Sequence, residues 1–544
     1  MKSLFPISKK LKFDKKSLFL ILGGIILIGI VFSQTKAQKI CYPENYSGND
    51  KQKIQRAIDD CENGGEVILE NGKTYYISGS LTLKKGITFN LNRATLSMTG
   101  RNIDDYQKPA DAPWTQRRVW IRTPKGVSNL KIIGPGLFKK TKETPDLQYC
   151  GPENMEDWPN ISMLHIAGGS NVEIENITID SQESPEYQIG FHLQLTGGEE
   201  ITIKNVTVRS RKNGATGNDG IHIGKRLPDL IPKNILVQNC EVDVIDDAFV
   251  TPSRGENIRV KNCKFNSRAA ASIKLNGGRN IVIEDVELSN SREGTSYTAF
   301  DGRTAISFAF RSGPDYDVGP ILLKNVKVDS TAYALFRYWK DITSEDIHDL
   351  SFENFEVFGG GEARSRKKGA PWRMNLVENM KRVTFKNIHF HSGESAPLVV
   401  FKNICGLSIS GFSSTLTSDP QSDLSFRSVT NLVFDGSSPV CEEDSLPCSC
   451  SSWQNDGCGK GSCPKDKLRQ TRTCSPSGCN LEERCITDPS CRISADFNQD
   501  GKVDLKDLGI LFSFWLRTDK ENCDLNKDGT IDEKDFAILL SQWK

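Results

Sequence analysis

Three aspartates carry the clearest chemical signal in the chain. Asp219 lies in the segment GNDGIHI, and Asp246 and Asp247 form a pair in VIDDAFV. Hydrolysis of a glycosidic bond needs an acid that protonates the leaving oxygen and a carboxylate that activates water or attacks the sugar. Crowded carboxylates raise one another's pKa, which keeps one of them protonated near neutral pH. The three residues therefore predict an acid–base site if the fold brings them together, and turn capping is the alternative role.

A repeated phrase predicts the elements that position these aspartates. The pattern Asn-apolar-x-apolar-x-Asn-x-x-apolar returns between residues 171 and 411, in units of about 23 residues with insertions in some copies. The second Asn of the phrase has an equivalent in every copy, and Asp or Gly replaces it in two of them. The equivalent residues are Asn176, Asn205, Asn239, Asn262, Asp285, Asn325, Asn354, Asn387 and Gly411. A fixed unit with variable insertions is typical of a solenoid.

Alternation within each unit predicts β-strands. Apolar residues alternate with Lys, Glu, Thr and Gln, as they do in a strand with one buried face. Stacked units place equivalent residues roughly 4.8 Å apart and build one continuous core. We therefore predict a mainly β protein, a right-handed parallel β-helix, in which the repeated Asn side chains hydrogen-bond from coil to coil. Asp219, Asp246 and Asp247 would then lie side by side, and Cys240 and Cys263 would stack as buried free thiols.

The N-terminus and the cysteines predict export. Six lysines precede an apolar run from Leu18 to Phe32, which is typical of a secretory signal with cleavage after Ala37. An uncleaved membrane anchor is the alternative, although this run is shorter than the roughly 20 residues that span a bilayer. Nine of the 16 cysteines fall between Cys441 and Cys491, a density that indicates a disulfide framework. We predict a secreted or cell-surface protein.

Changes in composition predict four segments. These are a signal peptide or membrane anchor at residues 1–38, the β-helix at 39–438, a cysteine-rich spacer at 439–492 and a small domain at 493–544. A short helix from about Lys51 to Cys61 is expected to cap the solenoid. Residues 101–160 are expected to form long loops along one side. The net charge of +1 favours no nucleic-acid partner.

The cysteine-rich spacer resembles part of a thrombospondin type 1 repeat. Its segment WQNDGCGKGSCPKDKLRQTRTC carries Trp453, Arg469 and Arg472 ahead of Cys474. The resemblance implies that guanidinium groups stack on the indole. A disulfide-stapled spacer is the alternative.

Two loops near the C-terminus carry oxygen ligands at the spacing that Ca²⁺ requires. DFNQDGKVDLKD and DLNKDGTIDEKD recur 28 residues apart. Their loop positions 1, 3, 5, 7, 9 and 12 are Asp496, Asn498, Asp500, Lys502, Asp504 and Asp507, and then Asp524, Asn526, Asp528, Thr530, Asp532 and Asp535. This spacing of hard oxygen ligands predicts two structural Ca²⁺ ions. We expect no cofactor for catalysis.

These loops resemble a type I dockerin over residues 493–544. Position 12 is Asp in both loops, and each loop precedes one helix, in LKDLGILFSFWL or EKDFAILLSQW. The resemblance implies a small α-helical domain that folds when calcium binds and that docks onto a cohesin-type partner. A purely structural calcium module is the alternative.

Residues 40–435 resemble the polygalacturonase family, the family 28 glycoside hydrolases. The resemblance rests on IQRAIDDCENGGEVIL, on SPEYQIGFHLQL, on NDG in place of the family's Asn-Thr-Asp, and on the following aspartate pair. It implies that Asp246 is the general acid and that Asp219 and Asp247 hold and activate the attacking water in an inverting reaction.

Two features of that family are missing. Ala269, or Ala270, stands where the family has the His of Gly-His-Gly. Ser307 and Ala309 stand where the family's Arg and Lys grip the sugar carboxylate. The altered clamp predicts a polysaccharide whose sugar differs from galacturonic acid.

Five residues are candidate substrate contacts. The cations close enough in sequence to replace the missing ones are Arg268, Lys274, Arg303 and Arg311. The fifth is His222, which shares the strand of Asp219. His192, on the coil before it, could also enter the cleft. Solvated surface positions for the cations, and packed strand positions for the histidines, are the alternatives.

Three functions remain open. The first is an exported glycoside hydrolase that cleaves a plant or microbial polysaccharide. The second is a polysaccharide lyase on the same fold, in which the aspartates hold Ca²⁺ and Lys274 or Arg268 abstracts the proton. The third is a non-catalytic glycan-binding solenoid at the cell surface, which the missing His, Arg and Lys favour and the three retained aspartates oppose.

Overall fold

The computed structural model describes most of the chain. The described residues are 38–112, 117–142, 161–184, 190–210, 218–224, 231–290, 304–310, 318–329, 334–338, 347–358, 373–392, 398–415, 423–434, 436–439, 441, 449–450, 452–458, 467–472, 474–475, 482–487, 495, 497, 503–515, 523–526 and 530–542. The chain divides into two compact units between residues 440 and 441. The predicted signal or anchor lies outside the described residues, and none of the helices within them has the length and apolar character of a membrane span.

Two large β-sheets form the first unit. Within the described residues, the larger sheet has 20 strands: Ile40–Cys41, Glu66–Ile68, Thr74–Ile77, Thr88–Asn90, Thr95–Met98, Ser128–Lys140, Ser170–Ser181, Glu199–Lys204, Thr207–Ser210, Lys233–Gln238, Glu241–Val244, Glu256–Lys261, Lys264–Ser267, Arg279–Ser289, Ile321–Val328, His348–Phe358, Leu376–Ser392, Val399–Ser410, Ser413–Ser414 and Leu424–Val433. The smaller sheet has 10 strands: Leu81–Thr82, Arg118–Arg122, Ile161–Ala167, Leu193–Thr196, Ile221–Gly224, Phe249–Val250, Ala271–Leu275, Thr304–Phe308, Ala334–Tyr338 and Arg373–Met374.

Each strand pairs with the equivalent strand of the next copy. Ile201, Ile235, Ile258 and Ile281 are register partners across four copies, and all four are buried. The described pairings of both sheets are parallel, except that Arg373–Met374 runs antiparallel to its neighbour. The predicted stacking of mainly β units is confirmed, and the parallel sheets fit a β-helix. The handedness of the solenoid stays a prediction.

The repeated asparagines form a ladder along the outside of the coils. Asn205 donates to Asn176 at 2.8 Å, Asn239 donates to Asn205 at 3.1 Å, and Asn262 donates to Asn239 at 3.4 Å. Their φ angles lie between 53° and 60°, in the left-handed region that Asn tolerates better than most residues. Gly411 takes the same conformation in its own copy, with φ at 62°. The predicted hydrogen bonding between coils is confirmed.

A helix covers the N-terminal end of the solenoid core. It spans Asp50–Asp60, close to the predicted bounds, and begins with a capping box formed by Asn49 and Gln52. Its buried residues Ile54 and Ile58 join the hydrophobic core of the first unit. Covering the first coil removes the apolar surface that a terminal repeat would otherwise expose.

The cysteines divide into bonded and free ones. Cys41 and Cys61 form a disulfide with a sequence separation of 20, which the sequence analysis did not predict. Closing a loop of this size stabilises the fold by about 3 kcal/mol. Cys441, at the start of the cysteine-rich segment, is also in a disulfide. Cys240 and Cys263 are buried and free, as predicted.

The prediction of long loops over residues 101–160 is wrong in part. Strands Arg118–Arg122 and Ser128–Lys140 lie in this region and add coils to both sheets. Residues 99–112 do form a loop, interrupted by the short 3-10 helix Ile103–Asp105. A second 3-10 helix spans Pro43–Asn45. Strand Ser128–Lys140 was missed because its Pro and Gly residues obscure the alternation, and Arg118–Arg122 was missed because its three central apolar residues do not alternate with polar ones.

The second unit contains short antiparallel strands followed by two helices. Ser449–Cys450 pairs with Cys474–Ser475, and a three-stranded sheet contains Gln454–Cys458, Lys467–Arg472 and Glu482–Thr487. The guanidinium of Arg484 lies 4.2 Å from the centre of the Trp453 ring. A cation therefore contacts this indole, but it comes from an arginine that the sequence analysis did not select. The helices span Leu505–Ser513 and Glu533–Ser541.

Replacing Asn239 tests the ladder. Asn239→Ala removes two coil-to-coil hydrogen bonds and places a Cβ without a polar partner in the left-handed region, so we expect a loss of about 1–2 kcal/mol. Asn239→Gly removes the same bonds without the strain and should cost less. The measurement is the shift of the guanidinium chloride midpoint. An Asn239→Ala protein as stable as the parent would contradict the ladder's role.

Candidate active site

A row of mostly polar residues crosses the ten-stranded sheet. Its members are register partners from strand to strand: Arg122, His165, Gln194, His222, Val250, Lys274, Ser307 and Arg337. Flanking residues such as Ile221, Ile223 and Ile273 belong to the hydrophobic core. Because successive side chains of a strand point to opposite faces, the row points away from the core. We call these eight residues the polar row.

The three aspartates lie together beside the middle of this row. Asp219 precedes strand Ile221–Gly224, and Asp246 and Asp247 precede Phe249–Val250 on the next coil. One carboxylate oxygen of each aspartate lies within 4.8 Å of the other two. Asp219 and Asp247 are buried, whereas Asp246 is partly exposed. The register therefore brings together the three carboxylates that the repeat pattern predicted to be neighbours.

Gly220 allows the two aspartate-bearing coils to approach each other. Its N–H donates to the carbonyl of Asp247 at 2.9 Å. A Cβ at this position would collide with the side chain of Val242 and the carbonyl of Ala248. A larger residue would therefore push apart the coils that carry Asp219 and Asp247.

Lys274 holds Asp247 in its charged form. The Lys274 Nζ lies 2.7 Å from Asp247 Oδ2, and the Ala271 N–H donates to Asp247 Oδ1 at 3.1 Å. Burial raises the pKa of Asp247, but the charge and hydrogen bond of Lys274, the charge of Arg337 and the Ala271 N–H together bring it below its ordinary value. Asp247 is therefore a carboxylate near neutral pH.

Asp219 has the opposite electrostatic character. Burial and the nearby Asp247 carboxylate raise the pKa of Asp219 well above its ordinary value. Its Oδ2 lies 2.6 Å from Nδ1 of His222, whose ring stacks on Phe191 with centroids 4.5 Å apart. The guanidinium of Arg117 lies 5.1 Å from the same Phe191 ring. The stack fixes the imidazole against Asp219, so a proton can be shared between the two groups.

His192 supports the backbone of Asp219 from behind. Its own N–H donates to the Asp219 carbonyl at 3.0 Å, and its Nδ1 lies 2.9 Å from the same oxygen. The Ser181 hydroxyl lies 2.7 Å from Nε2. Burial lowers the pKa of His192 to about 4, so the ring is neutral near pH 7. His192 takes the packed position that was the alternative to a place in the cleft.

Two cations face the three carboxylates. Lys274 interacts electrostatically with all three, and Arg337 interacts with Asp246 and Asp247. Within the described part of this cluster, the three carboxylates and the two cations together leave one negative charge, which a single proton neutralises. Unbalanced buried charge is costly. The cluster is therefore suited to hold one proton, as an acid catalyst must.

Sequence reasoning missed Arg337. It lies in the polar row one coil beyond Ser307, and its Nη2 lies 3.5 Å from the Ser307 hydroxyl. Aligning strand Ala334–Tyr338 with strand Thr304–Phe308, despite the insertion between them, would have placed Arg337 opposite Ser307. Arg268 is buried and forms an ion pair with Asp243 on the larger sheet, whereas Arg303 and Arg311 lie outside the described residues.

The calcium loops are described in part. The first loop's Asp496, Asn498, Asp500 and Lys502, and the second loop's Asp528, lie outside the described residues. Asp504 and Asp532 are the N-caps of the two helices, paired in capping boxes with Asp507 and Asp535. Asp535 is buried and accepts from the N–H groups of Asn526 at 3.0 Å and Asp532 at 2.9 Å. A buried carboxylate of this kind fits a cation ligand, because a bound cation would offset its charge.

Two family models match the sequence. The model described as glycosyl hydrolases family 28 matches residues 64–306. The model described as dockerin type I domain matches residues 494–542. Both predicted resemblances are confirmed. No curated protein matches the sequence.

Several solved structures are similar to the chain. A family 28 exopolygalacturonase of Yersinia enterocolitica has 17% identity and a TM-score of 0.45, over 74% of this chain and 79% of that one. The surface adhesin PfbA of Streptococcus pneumoniae has 12% identity and a TM-score of 0.46, over 83% and 100%. A polygalacturonase of Erwinia carotovora has 15% identity and a TM-score of 0.45, over 74% and 99%.

The same substitution at the two buried aspartates should have opposite effects on stability. In the unfolded chain Asp219 releases its proton near the ordinary pKa of 3.8, whereas the folded protein keeps that proton to a higher pH because the pKa of Asp219 is raised. The free energy of unfolding therefore falls as pH rises from 3.8 to the raised pKa. Asp219→Asn should therefore raise the Tm at pH 7 by on the order of 2 °C, and the gain should vanish below about pH 4.

Asp247→Asn is the matched control. The lowered pKa of Asp247 means that its contribution to stability is present above its ordinary value and is lost as pH falls. Removing its charge at pH 7 leaves the partly exposed ammonium group of Lys274 without its carboxylate, at a cost of about 2 kcal/mol. Calorimetry from pH 3 to 8 measures both variants. Equal destabilisation by the two substitutions would contradict the electrostatic assignment.

Proposed function

We propose that this chain is a secreted polysaccharide-degrading glycoside hydrolase in which Asp219, Asp246 and Asp247 perform acid–base catalysis. The observation that carries the proposal is the meeting of the three carboxylates within 4.8 Å in a segment that matches glycosyl hydrolases family 28. Their position on the outward side of the sheet, with two cations beside them, supplies the acid and the base that glycosidic hydrolysis needs.

Exposure supports a division of roles within the trio. Asp246 is the partly exposed member and is proposed to protonate the leaving glycosidic oxygen. Asp219 and Asp247 are buried and are proposed to hold and activate the attacking water, with Asp247 as the base that deprotonates it. The lowered pKa of Asp247 suits it to act as the base, because it is ionised over the working range.

Inversion of the anomeric centre is part of this proposal. A retaining reaction needs a carboxylate that contacts the sugar carbon, and the low exposure of Asp219 and Asp247, 5% and 2%, favours a water between them and the sugar. The oxygens are closer together than the roughly 6.5–9.5 Å that is typical of inverting sites, so spacing alone would favour retention. Burial is the stronger argument because it concerns access to the sugar itself.

Lys274 and His222 are proposed as substrate contacts. Their side chains are 22% and 21% exposed beside the aspartates, so both can reach sugar hydroxyls while they partner Asp247 and Asp219. Arg303 and Arg311 stay proposed contacts on sequence grounds. Arg268 is less suited, because its guanidinium is buried against Asp243.

The lyase hypothesis is disfavoured by the state of Lys274. Burial lowers the pKa of this amine, but the three aspartates raise it above its ordinary value, so Lys274 is protonated and cannot abstract a proton near neutral pH. Its ammonium group also occupies the place beside Asp247 where a cation would compensate the carboxylates. The trio could hold a metal ion by geometry, and this is why calcium stoichiometry is a useful test.

The C-terminal domain is proposed to attach the enzyme to a cohesin-type protein. The match to the dockerin type I model over residues 494–542 supports this proposal. The two loops are proposed to bind one Ca²⁺ each, which would supply positive charge to buried carboxylates such as Asp535 and hold the loop against its helix. Ca²⁺ has no part in the proposed hydrolysis.

Export is proposed from several features together. The apolar run from Leu18 to Phe32 resembles a secretory signal, with membrane anchoring as the alternative. The Cys41–Cys61 disulfide favours an oxidising compartment. The protein is therefore proposed to act outside the cytoplasm.

We also propose domain boundaries at residues 38, 438 and 492, where the composition of the chain changes.

Replacing the proposed acid tests the mechanism. Asp246→Asn should lower reducing-end release from the glycan that the parent cleaves by about 1000-fold, because general acid catalysis contributes roughly 10²–10⁴-fold. The matched control is Asp59→Asn, which changes an aspartate of the capping helix that forms an exposed ion pair with Lys84. This variant should keep full activity. Activity that survives Asp246→Asn would remove the proposed acid.

Proton NMR of the first products should show the inverted anomer, and the retained anomer would overturn the role of the water.

Removing calcium ligands tests the second domain. Titration calorimetry of the calcium-stripped full chain should give two Ca²⁺ per chain, and Asp535→Ala should give one. Glu533→Ala changes an exposed neighbour on the same helix and should keep two. Two ions bound to the Asp535→Ala protein would contradict the ligand assignment. A parent protein that binds three Ca²⁺, one of which the Asp247→Asn protein no longer binds, would revive the lyase hypothesis.

A further inference from the structure

Phe191 is a partly exposed aromatic residue beside the candidate active site. Its ring stacks on the imidazole of His222, with centroids 4.5 Å apart and an angle of 25° between the planes. The guanidinium of Arg117 lies 5.1 Å from the centre of the same ring. The three side chains come from three different coils. Their contacts therefore link separate parts of the sheet to the imidazole that binds Asp219.

Backbone contacts fix the position of Phe191. The Met163 N–H donates to the Phe191 carbonyl at 2.9 Å, and the N–H of the next residue, His192, donates to the Asp219 carbonyl at 3.0 Å. A Cβ on the preceding residue, Gly190, would collide with a backbone carbonyl of the strand that contains Met163. The chain is therefore bound to both neighbouring coils at Phe191, and the ring has a rigid base.

The imidazole of His222 is bounded on a second side. A Cβ on Gly224 would lie 3.2 Å from both Cδ2 and Nε2 of His222, so the edge of the ring lies close to the backbone of its own strand. The side chain of His222 is 21% exposed, and most of it is covered by protein. Phe191 on one face and the backbone at the edge restrict rotation of the imidazole.

Asp219 depends on this imidazole for its orientation. Its Oδ2 lies 2.6 Å from Nδ1 of His222, and within the described residues no other side chain hydrogen-bonds its carboxyl group. Asp247 is held differently, by the ammonium group of Lys274 and by a backbone N–H. A rotation of the Asp219 carboxyl group would break its bond to His222. The imidazole therefore sets the direction in which this carboxyl group points.

We infer that Phe191 is a positioning residue for the proposed hydrolysis: it holds His222 against Asp219 and thereby directs the Asp219 carboxyl group at the attacking water. The inference rests on the proposed role of Asp219. A misplacement of about 1 Å in an active site can lower the rate about 100-fold, so Phe191 contributes to catalysis through His222 and needs no contact with the sugar. A flat ring suits this task because stacking fixes both the height and the tilt of the imidazole.

Replacing the ring tests the inference. Phe191→Leu keeps an apolar side chain but removes the flat surface. We expect kcat for reducing-end release from the glycan that the parent cleaves to fall about tenfold, with KM little changed. Phe191→Tyr keeps the ring and should restore most of the parent's kcat.

Three kinetic results would overturn the inference. The first is a Phe191→Leu protein with the parent's kcat. The second is a rise in KM alone, which would make Phe191 a substrate contact. The third is a Phe191→Tyr protein as slow as Phe191→Leu, because the stacked ring would then have no special role.

A second stacked pair supplies the matched control. The ring of Phe358 stacks on His391 with centroids 4.3 Å apart, and both residues belong to strands of the larger sheet. Phe358→Leu removes the same kind of contact on the other sheet and should leave kcat and KM unchanged. An equal loss of kcat in Phe358→Leu would show a general effect of the substitution and would contradict a specific role for Phe191.

Crystal structures of the variants separate failure of this inference from failure of the proposed function. In Phe191→Leu we expect Nδ1 of His222 to lie beyond hydrogen-bond distance, roughly 3.5 Å, from Oδ2 of Asp219, whereas Phe191→Tyr should keep the bond. An unchanged bond in Phe191→Leu would overturn the inference whether or not the parent cleaves a glycan. A parent that cleaves no glycan would count against the proposed function and would remove the catalytic role of Phe191 with it. If Phe191→Leu fails to fold, Phe191→Met replaces it in both measurements.

Discussion

The parallel register between successive coils is the constraint on which the rest of the molecule depends. Backbone hydrogen bonds place each residue one strand spacing above its equivalent, and the ladder from Asn176 to Asn262 repeats the same constraint at a turn. The register stacks apolar residues into one core. It also fixes which polar residues meet on the outer face, so Asp219 and Asp247 become neighbours although 28 positions separate them in sequence.

Electrostatic balance is the second constraint, and it follows from the first. Register crowds three carboxylates into one place, and the fold supplies Lys274 and Arg337 on later coils to compensate them. The balance is uneven: Asp247 is paired with Lys274, whereas Asp219 meets His222 and a neighbouring carboxylate. The opposite pKa shifts suit Asp247 to act as an ionised base and suit Asp219 to hold the attacking water as a protonated partner. The three carboxylates therefore lie in unequal environments beside the same two cations.

Much of this arrangement could be predicted from the sequence because it is periodic. The repeated Asn phrase predicted stacked β units, the asparagine ladder and the meeting of the aspartates. Arg337 was missed because an insertion interrupts the period before its strand. Strand Ser128–Lys140 was missed because Gly and Pro mask its alternation, and Arg118–Arg122 was missed because its central apolar residues are consecutive. The Cys41–Cys61 bond and the Asp111 contact with His165 depend on how non-repeating segments fold back, and spacing in sequence carries little information about such contacts.

The central claim is that the register assembles a hydrolytic site from Asp219, Asp246 and Asp247. The most direct measurement is a crystal structure of the Asp246→Asn protein with a bound oligosaccharide of the cleaved glycan. We predict that a glycosidic oxygen lies within hydrogen-bond distance of the side chain at position 246, and that a water held by Asp219 and Asp247 faces the anomeric carbon from the opposite side. An oligosaccharide bound elsewhere on the solenoid, or a metal ion bridging the carboxylates, would contradict the claim.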